Sequence, residues 1–333
     1  MARVLVARAV FADVLERLRG YFEVQHNQAD EVWTQARLIT RLQGQDGVFI
    51  TGTEAIDGRL LDACPQLRAV CSMAVGYNNI DLAACTARGV LVSNAPDVLT
   101  ETTADFGFAL MMAAARRISE SEHFLRAGRW TRWGHDMFAG ADVHGATLGV
   151  LGMGRIGQAI ARRGALGFGM PVIYHNRSRL DAALEASLGA RYVSKAQLLS
   201  ESDHLLLVLP YGPESHHAIG AVELALMKPS ATLTNIARGG IVDDAALARA
   251  LRERRIAAAG LDVFEGEPAL HPELLSLPNV VLTPHIASAS LPTRRAMAHL
   301  AADNLIAALG AGDRPGLPPT ALNPQVLVPR SSH

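Results

Sequence analysis

At the centre of the sequence stands Leu148-Gly149-Val150-Leu151-Gly152-Met153-Gly154-Arg155-Ile156-Gly157, an apolar run that leads into a turn with three glycines. A helical pattern follows over residues 158–166, so a strand, a glycine-rich turn and a helix come in that order. The first glycine permits a tight turn, the second lets the backbone approach a pyrophosphate, and the third lets the helix contact the strand. The amino end of such a helix favours the negative charge of a phosphate. This stretch therefore predicts a dinucleotide-binding domain.

Short apolar runs alternate with helical patterns on both sides of this turn, which is typical of α/β proteins with parallel sheets. The predicted strands are residues 4–7, 47–50, 69–72, 90–92, 146–151, 172–174, 205–208, 232–234, 258–261 and 280–282. Asn94-Ala95-Pro96-Asp97 breaks the alternation, and a long apolar helix is predicted directly after it, over residues 103–117. A final helix over residues 293–309 is too short to form a domain, so we expect it to pack on the first one.

The chain has 333 residues, which is long for a single hydrophobic core, so we expect two domains. We assign residues 1–98 and 289–326 to a discontinuous substrate-binding domain, and residues 99–288 to an NADP-binding domain. The cleft between two such domains is the expected ligand site. Residues 327–333, Leu327-Val328-Pro329-Arg330-Ser331-Ser332-His333, are interpreted as the remnant of an expression tag.

Composition excludes several classes of function. Lysine and arginine number 31 against 32 acidic residues, for a net charge of −1, and no basic stripe indicates a nucleic-acid partner. No apolar run approaches the roughly 20 residues of a membrane span. Because a strand pattern begins almost at once, at Val4, we expect no signal peptide. The three cysteines, Cys64, Cys71 and Cys85, lack CxxC spacing and are interpreted as buried apolar residues. We expect a cytoplasmic protein that binds neither a membrane nor nucleic acid and holds no metal.

The end of the strand after the glycine turn selects between two cofactors. A carboxylate about 20 residues past Gly157 would bind the ribose 2′-hydroxyl of NAD. The chain instead has Asn176-Arg177-Ser178-Arg179, with no acid. Arg177 and Arg179 can bind a 2′-phosphate and Ser178 can donate to it, so NADPH is the predicted cofactor and NADH the weaker alternative. A solvated basic turn without a ligand is the other interpretation.

Three polar residues in the second half have the chemistry of a proton-coupled reduction. Arg238 follows a predicted strand end and can fork onto a carboxylate. His285 also follows a strand end and can move a proton near neutral pH, and Glu267 can orient and charge that imidazole. Each could alone be an ordinary surface side chain, so the interpretation depends on the combination. With a hydride carrier, the set predicts a dehydrogenase or reductase of 2-hydroxy acids.

Taken together, the motifs resemble those of the D-isomer-specific 2-hydroxyacid dehydrogenase family: residues 152–157, Ala237-Arg238-Gly239, Asp262-Val263-Phe264-Glu265 with Glu267-Pro268, and Pro284-His285. Within that family, residues 72–81, 98–102 and 260–265 resemble the bacterial glyoxylate/hydroxypyruvate reductases of type B, also called 2-ketogluconate reductases. The likeness extends over about residues 1–326.

This resemblance implies an α/β fold of two Rossmann-like domains with parallel sheets, a flavodoxin-like substrate domain and an NAD(P)-binding Rossmann domain. It implies NADPH-dependent reduction of small 2-keto acids to D-2-hydroxy acids, with glyoxylate, hydroxypyruvate and 2-ketogluconate as candidate substrates. Arg238 would bind the substrate, His285 would be the acid/base and Glu267 its partner. It also implies a homodimer in which residues 130–144 embrace the partner subunit.

The same resemblance implies further site residues. The backbone amides of Val75 and Gly76 would hold the substrate carboxylate, together with Arg238 and His285. Cofactor contacts are implied for Gly152, Gly154, Arg155, Ile156, Gly157, Asn176, Arg177, Ser178, Arg179, Leu209, Pro210, Ser215, Ile236, Ala237, Asp262 and Thr103. Ser215 stands where relatives more often carry threonine, and Ala74 stands where close relatives carry serine, which leaves the preferred substrate open.

Two other functions stay open at this point. A dinucleotide-sensing corepressor uses the same fold and keeps the same three polar residues, and robust turnover of hydroxypyruvate would exclude it as the main role. Phosphite dehydrogenase also keeps an arginine, a glutamate and a histidine, so only an activity assay separates it. Formate dehydrogenases place glutamine where Glu267 stands, which disfavours that activity.

Overall fold

The computed structural model describes residues 1–327, so the tag interpretation lies outside the described residues except for Leu327, the last residue of a short 3-10 turn. The described chain forms two compact units. One contains Met1–Leu99 together with the segment that begins at Ser290, and the other is Thr100–Ala289. The chain therefore leaves the first unit once and returns to it with its last long helix.

Strands and helices alternate along the described chain. The strands are β1 (Arg3–Val6), β2 (Glu23–His26), β3 (Gly47–Ile50), β4 (Ala69–Ser72), β5 (Leu91–Ser93), β6 (Leu148–Leu151), β7 (Val172–His175), β8 (Ala190–Tyr192), β9 (His204–Leu207), β10 (Thr232–Asn235), β11 (Ala258–Leu261) and β12 (Val280–Leu282). The helices are α1 (Ala12–Arg19), α2 (Gln35–Leu42), α3 (Gly58–Ala63), α4 (Leu82–Ala87), α5 (Thr100–Ala115), α6 (Ile118–Arg126), α7 (Arg155–Arg162), α8 (Ala182–Leu188), α9 (Lys195–Glu201), α10 (Ala221–Leu226), α11 (Asp244–Arg252) and α12 (Leu291–Ala308).

The first unit is a parallel sheet with the strand order β2-β1-β3-β4-β5, and α12 packs on β3 and β4. This is the order of a flavodoxin-like sheet, as predicted. The sequence pattern missed β2 because this edge strand, Glu23–His26, is mostly exposed and polar. By contrast, β3 and β4 are buried along their whole length, which is why their apolar runs were recognisable.

The second unit is a parallel sheet with the strand order β12-β11-β10-β9-β6-β7-β8. Counted from β6, this is the Rossmann order extended by one strand, again as predicted. The order reverses between β6 and β9, so the loops that follow these two strands diverge from one another there. Ligands of such sheets bind in the crevice at the carboxyl ends of the strands flanking this point. The edge strand β8 was missed because it is short and half-exposed.

The long helix α5 covers β10 and β11 of the second unit with an almost entirely apolar surface. It begins at Thr100, earlier than predicted, and ends at Ala115. A side chain at Gly260 on β11 would lie 2.8 Å from a carbon of Leu110, so glycine lets the helix approach the strand closely. Phe108 and Met111 are buried in the same cluster, and each contributes roughly 1.5–3 kcal/mol of hydrophobic stabilisation.

The three cysteines are free thiols buried in the first unit. Burial raises the pKa of Cys71 to about 12 and that of Cys85 to about 11, so neither is a reactive thiolate at neutral pH. Among the helices of residues 1–327, none combines the length and apolar character that crossing a membrane requires.

Candidate active site

The glycine turn between β6 and α7 has two glycines that the fold itself requires. Gly152 has a φ of 103°, and a side chain there would lie 2.7 Å from the backbone nitrogen of Leu209. A side chain at Gly157 would lie 2.3 Å from the carbonyl oxygen of Gly152. Any larger residue at either position would push the turn away from α7 or from the loop after β9.

Gly154 is different, because a side chain there would meet no protein atom within 4 Å. Gly154 is also the residue that precedes α7, and no side chain caps the helix. Helix α7 therefore starts directly behind Gly154, and the amides in the first turn of a helix have no carbonyl partner within the helix. The room beside Gly154 and the uncapped start of α7 are features that a pyrophosphate site requires.

The basic loop after β7 lies beside this turn. The side-chain oxygen of Asn176 accepts a hydrogen bond of 2.6 Å from the amide of Met153, which ties the loop to the turn. The Arg177 side chain is 83% exposed, and its nearest acid is Glu214, at 3.5 Å. Arg177 is therefore available to an anion that approaches the loop.

Arg179 is held more firmly than its neighbour. Its guanidinium donates to both oxygens of Glu185, at 2.9 and 2.7 Å, and the Tyr174 hydroxyl donates to the same carboxylate at 2.6 Å. The hydrogen bond from Arg179, followed by that from Tyr174, lowers the pKa of Glu185. Of the two predicted arginines, Arg177 is thus the more accessible cation, with exposed Ser178 between them.

Two further predicted cofactor residues differ in how their hydroxyls are used. The Ser215 oxygen accepts from the amide of Gly212 at 2.8 Å and donates to the carbonyl of Pro210 at 3.0 Å, so it shapes the loop after β9. Thr103 on α5 is buried, and its hydroxyl has no hydrogen-bond partner within residues 1–327. Since a buried hydroxyl without a partner is costly, Thr103 fits a position that a ligand completes.

The three predicted catalytic residues follow three adjacent strands. Arg238 comes after β10, Glu267 after β11 and His285 after β12, and these strands are neighbours in one parallel sheet. The carboxyl ends of parallel strands meet at one edge, so the sheet brings residues that are distant in sequence to the same place.

Glu267 and His285 are directly paired. The Nδ1 atom of His285 lies 2.7 Å from Oε2 of Glu267, and the amide of Phe264 donates to Oε1 at 2.9 Å. Burial works against the ionised carboxylate, but the His285 and Phe264 hydrogen bonds and nearby positive charge outweigh it and lower the pKa of Glu267. An ionised Glu267 therefore orients the imidazole and leaves Nε2 as the atom that can exchange a proton with a ligand.

The loop that carries His285 is organised by Asp262, which is fully buried. One carboxylate oxygen accepts from the Thr283 hydroxyl at 2.7 Å and from the Ile286 amide at 2.8 Å, and the other accepts from the Ala287 amide at 2.8 Å. Burial raises the pKa of Asp262 against the effect of these donors. His285 itself has a φ of 53°, a left-handed conformation that the surrounding hydrogen bonds maintain.

The turn that carries Arg238 is held by Asn235, whose side chain accepts from the Ala237 amide and donates to the Arg238 carbonyl. A side chain at Gly239 would lie 1.7 Å from the carbonyl oxygen of Phe264, so only glycine lets this turn contact the loop of Glu267. Burial lowers the pKa of Arg238 and the charge of Glu267 opposes that effect; an arginine in such a setting remains a cation.

Asn235 and Thr283 support the site, and Gly239 brings two loops together; none of these roles was predicted from the sequence. An asparagine at the end of a buried strand was the one available signal, since it can bond its own backbone two residues on. The contacts of Gly239 and Thr283 join loops far apart in sequence, so no local pattern could have revealed them.

Val75 and Gly76 belong to the first unit, in the loop after β4. The side-chain amide of Asn94 donates to the carbonyl of Val75 at 2.7 Å, and the Ser72 hydroxyl accepts from the amide of Ala74 at 3.1 Å. Strand-end side chains on both sides therefore hold this loop in shape.

Comparison with known proteins places the chain in a family. Residues 108–287 match the model of the D-isomer specific 2-hydroxyacid dehydrogenase NAD-binding domain. The glyoxylate reductase of Thermococcus gammatolerans is 46% identical over 335 residues, which cover 98% of this chain and 97% of that relative. The glyoxylate reductase of Aeropyrum pernix is 47% identical over 340 residues, covering 98% of each.

Solved structures agree in fold over nearly the full length. The NADPH-dependent glyoxylate/hydroxypyruvate reductase of Sinorhizobium meliloti, in complex with NADP and malonate, is 37% identical and superposes with a TM-score of 0.86 over 99% of each chain. A glyoxylate reductase of Paecilomyes thermophila is 32% identical, with a TM-score of 0.86 over 97% of this chain and 99% of the other. The predicted fold and family are thereby confirmed. The chain belongs to the D-isomer specific 2-hydroxyacid dehydrogenase family and is an oxidoreductase that binds a nicotinamide dinucleotide.

Proposed function

We propose that this protein reduces small 2-keto acids, glyoxylate and hydroxypyruvate foremost and 2-ketogluconate as a third candidate, to D-2-hydroxy acids with NADPH. The observation that carries the proposal is the pairing of His285 with Glu267 at 2.7 Å. These two residues follow β12 and β11, and Arg238 follows the neighbouring strand β10. The names of the glyoxylate reductase from Thermococcus gammatolerans and of the glyoxylate/hydroxypyruvate reductase from Sinorhizobium meliloti support this substrate class.

Each residue of the set has a separate task in the proposed reaction. The bound nicotinamide supplies a hydride. Arg238 binds the substrate carboxylate and polarises the keto oxygen through its charge. Protonated His285 donates from Nε2 to the oxygen on C2 as negative charge develops there, while Glu267 stabilises the imidazolium through Nδ1. The amides of Val75 and Gly76 are proposed as further donors to the carboxylate.

An initial-rate panel tests the proposal. Glyoxylate, hydroxypyruvate and 2-ketogluconate are each assayed with NADPH and with NADH, and phosphite is assayed with both oxidised cofactors. We expect robust turnover of at least one keto acid with NADPH. Tight cofactor binding without turnover would favour the corepressor alternative, and turnover of phosphite alone would favour phosphite dehydrogenase.

The preference for NADPH is proposed to depend on Arg177. Replacing Arg177 with aspartate removes the exposed cation of the loop and introduces a charge that repels a 2′-phosphate. The loss of one charge-assisted hydrogen bond costs about 1.5–3 kcal/mol, so the ratio of kcat/KM for NADPH to that for NADH should fall about 10- to 100-fold. The ratio is measured at saturating keto acid for both cofactors.

Arg191 provides a matched control, because it is an exposed arginine of the same unit that pairs with Glu201. The Arg191→Asp variant should keep the wild-type cofactor ratio. An unchanged ratio in Arg177→Asp, or equal changes in both variants, would remove Arg177 from cofactor selection.

We further propose that the protein is a homodimer, with α6 and the segment after it in the interface. Helix α6 has no buried residue, and Leu125, Trp130 and Trp133 are 56%, 56% and 77% exposed. Such a concentration of exposed large apolar side chains marks an interaction surface.

Light scattering should give twice the chain mass of 35.5 kDa. The dimer of the Trp130→Ala/Trp133→Ala variant should be weaker than that of the wild type, so it should dissociate at higher protein concentrations. The control variant Leu166→Ala, at a side chain that is 83% exposed, should dissociate as the wild type does. A monomeric wild-type protein would contradict the proposal.

A further inference from the structure

We propose that His216, His217 and Glu265 form a binding site for a borderline first-row divalent cation such as Zn²⁺ or Co²⁺. One ring nitrogen of each histidine and one carboxylate oxygen of Glu265 all lie within 4.8 Å of one another. Within residues 1–327, no other group of three histidine, cysteine or acidic side chains meets this criterion. The site is separate from the Glu267–His285 pair and requires neither substrate nor cofactor.

Backbone hydrogen bonds hold two of the three residues, His217 and Glu265. His216 and His217 follow the short turn Pro213–Ser215, and the amide of His217 donates to the carbonyl of Gly240 at 2.7 Å. The amide of Glu265 donates to the buried carboxylate of Asp244 at 3.0 Å. Binding an ion therefore requires little ordering of the chain, which is a condition for useful affinity.

The side chains also show where the ion would bind. Nε2 of His217 lies 2.9 Å from Oε2 of Glu265, and because an ionised carboxylate only accepts, the proton of this bond is on the histidine. A divalent cation would take the place of that proton and bind both groups. A neutral His217 would move its proton from Nε2 to Nδ1, and a protonated His217 would release one proton to solvent. Binding should consequently weaken as the pH is lowered.

His216 completes the site beside His217. The two rings stack with their centroids 3.9 Å apart, and Nδ1 of His216 lies 3.1 Å from the Tyr211 hydroxyl. Tyr211 resembles the outer hydrogen-bond partner that orients a ligating histidine in metal sites.

The ligand set determines the class of ion. Two imidazoles and one carboxylate suit Zn²⁺ and Co²⁺, whereas Mg²⁺ and Ca²⁺ require oxygen ligands. The side chains of His217 and Glu265 are 37% and 43% exposed, so an ion can enter and water can complete its coordination. The sequence predicted no metal because Glu265 lies 48 positions after His217 and no metal-binding spacing connects them.

A bound ion would connect the loop after β9 to the loop after β11. Glu265 stands two residues before Glu267, so the ion would restrain the loop that carries the partner of His285. We expect occupancy to raise the melting temperature of the protein, and the metal chelator EDTA to reverse the increase.

The test is equilibrium dialysis of the full chain against Zn²⁺ at pH 7.5, followed by metal analysis, with Co²⁺ substituted for its visible absorption spectrum. We expect one equivalent per chain above background. His217→Asn and Glu265→Gln should each weaken binding at least about tenfold, and Tyr211→Phe should weaken it by roughly 10- to 100-fold as an outer partner. At pH 5.5 the wild-type protein should bind less.

His123 offers a matched control, since it is an exposed histidine whose ring lies 3.9 Å from Glu122 with no second histidine in the group. The His123→Asn variant should bind as wild type does. Melting curves without metal show whether each variant folds. Because His216 is exposed, the His216→Asn variant replaces any ligand variant that does not fold. Absence of stoichiometric binding, or binding that persists unchanged in the folded ligand variants, would overturn the proposal.

Discussion

Replacing His285 with alanine is expected to lower kcat for keto acid reduction by about 10²- to 10⁴-fold, the usual contribution of a positioned general acid. The affinity for NADPH should change little, because the cofactor contacts assigned to the glycine turn and the basic loop remain. The imidazole is bonded to Glu267 at 2.7 Å through Nδ1, so its removal takes away the proton donor and leaves the carboxylate in place. Single-turnover rates and cofactor fluorescence titrations separate the two effects.

Two companion variants sharpen this test. Glu267→Gln keeps the shape of the side chain but loses the charge that stabilises the imidazolium, so kcat should fall while the affinity for NADPH is kept. His299→Ala is the matched control, since His299 also pairs with a carboxylate, that of Asp13, at 3.1 Å in the first unit. A kcat near the wild-type value for His285→Ala would remove His285 as the acid.

Replacing Arg238 with lysine is expected to lower kcat/KM by about 10²- to 10³-fold, although the charge is kept. A planar guanidinium can donate two parallel hydrogen bonds to a carboxylate, whereas an ammonium acts as a point charge on a flexible stem. The turn of Arg238 is held by Asn235 and by the close contact of Gly239 with Phe264, so a lysine cannot easily adjust. Steady-state rates with glyoxylate and hydroxypyruvate measure the loss.

The control for this variant is Arg163→Lys, because Arg163 is a half-buried arginine that pairs with Glu101 and Asp105 on α5. It should change stability and leave kcat/KM within a few-fold of wild type. If Arg238→Lys retains wild-type kcat/KM, or if both variants lose it equally, the assignment of Arg238 to the substrate is wrong.

Much of the fold could be predicted because its signals are local. Buried parallel strands such as Gly47–Ile50 and Ala69–Ser72 are continuous apolar runs, and the glycine turn after Leu151 has a conformation that few other residues permit. The polar edge strands Glu23–His26 and Ala190–Tyr192 have no such pattern, because they bury little surface on either face. They acquire their structure from a neighbouring strand.

The candidate site divides along the same line. The identities of Arg238, Glu267 and His285 could be chosen from their positions after strands, but their order in space depends on the sheet. The difference between Arg177 and Arg179 was not visible in the sequence, since Glu185 pairs with only one of two similar arginines. The same holds for His217 and Glu265. Their contact is the basis of the proposed metal site, and their separation in the sequence matches no metal-binding motif.

The sequence alone determined the local conformations and the chemistry of each side chain, because backbone sterics and apolar periodicity act over a few residues. What tertiary structure decided is which side chains meet. Glu267 reaches His285 across 18 positions because β11 and β12 are neighbours in the sheet, and strand order rather than chain order sets the distance between strand ends.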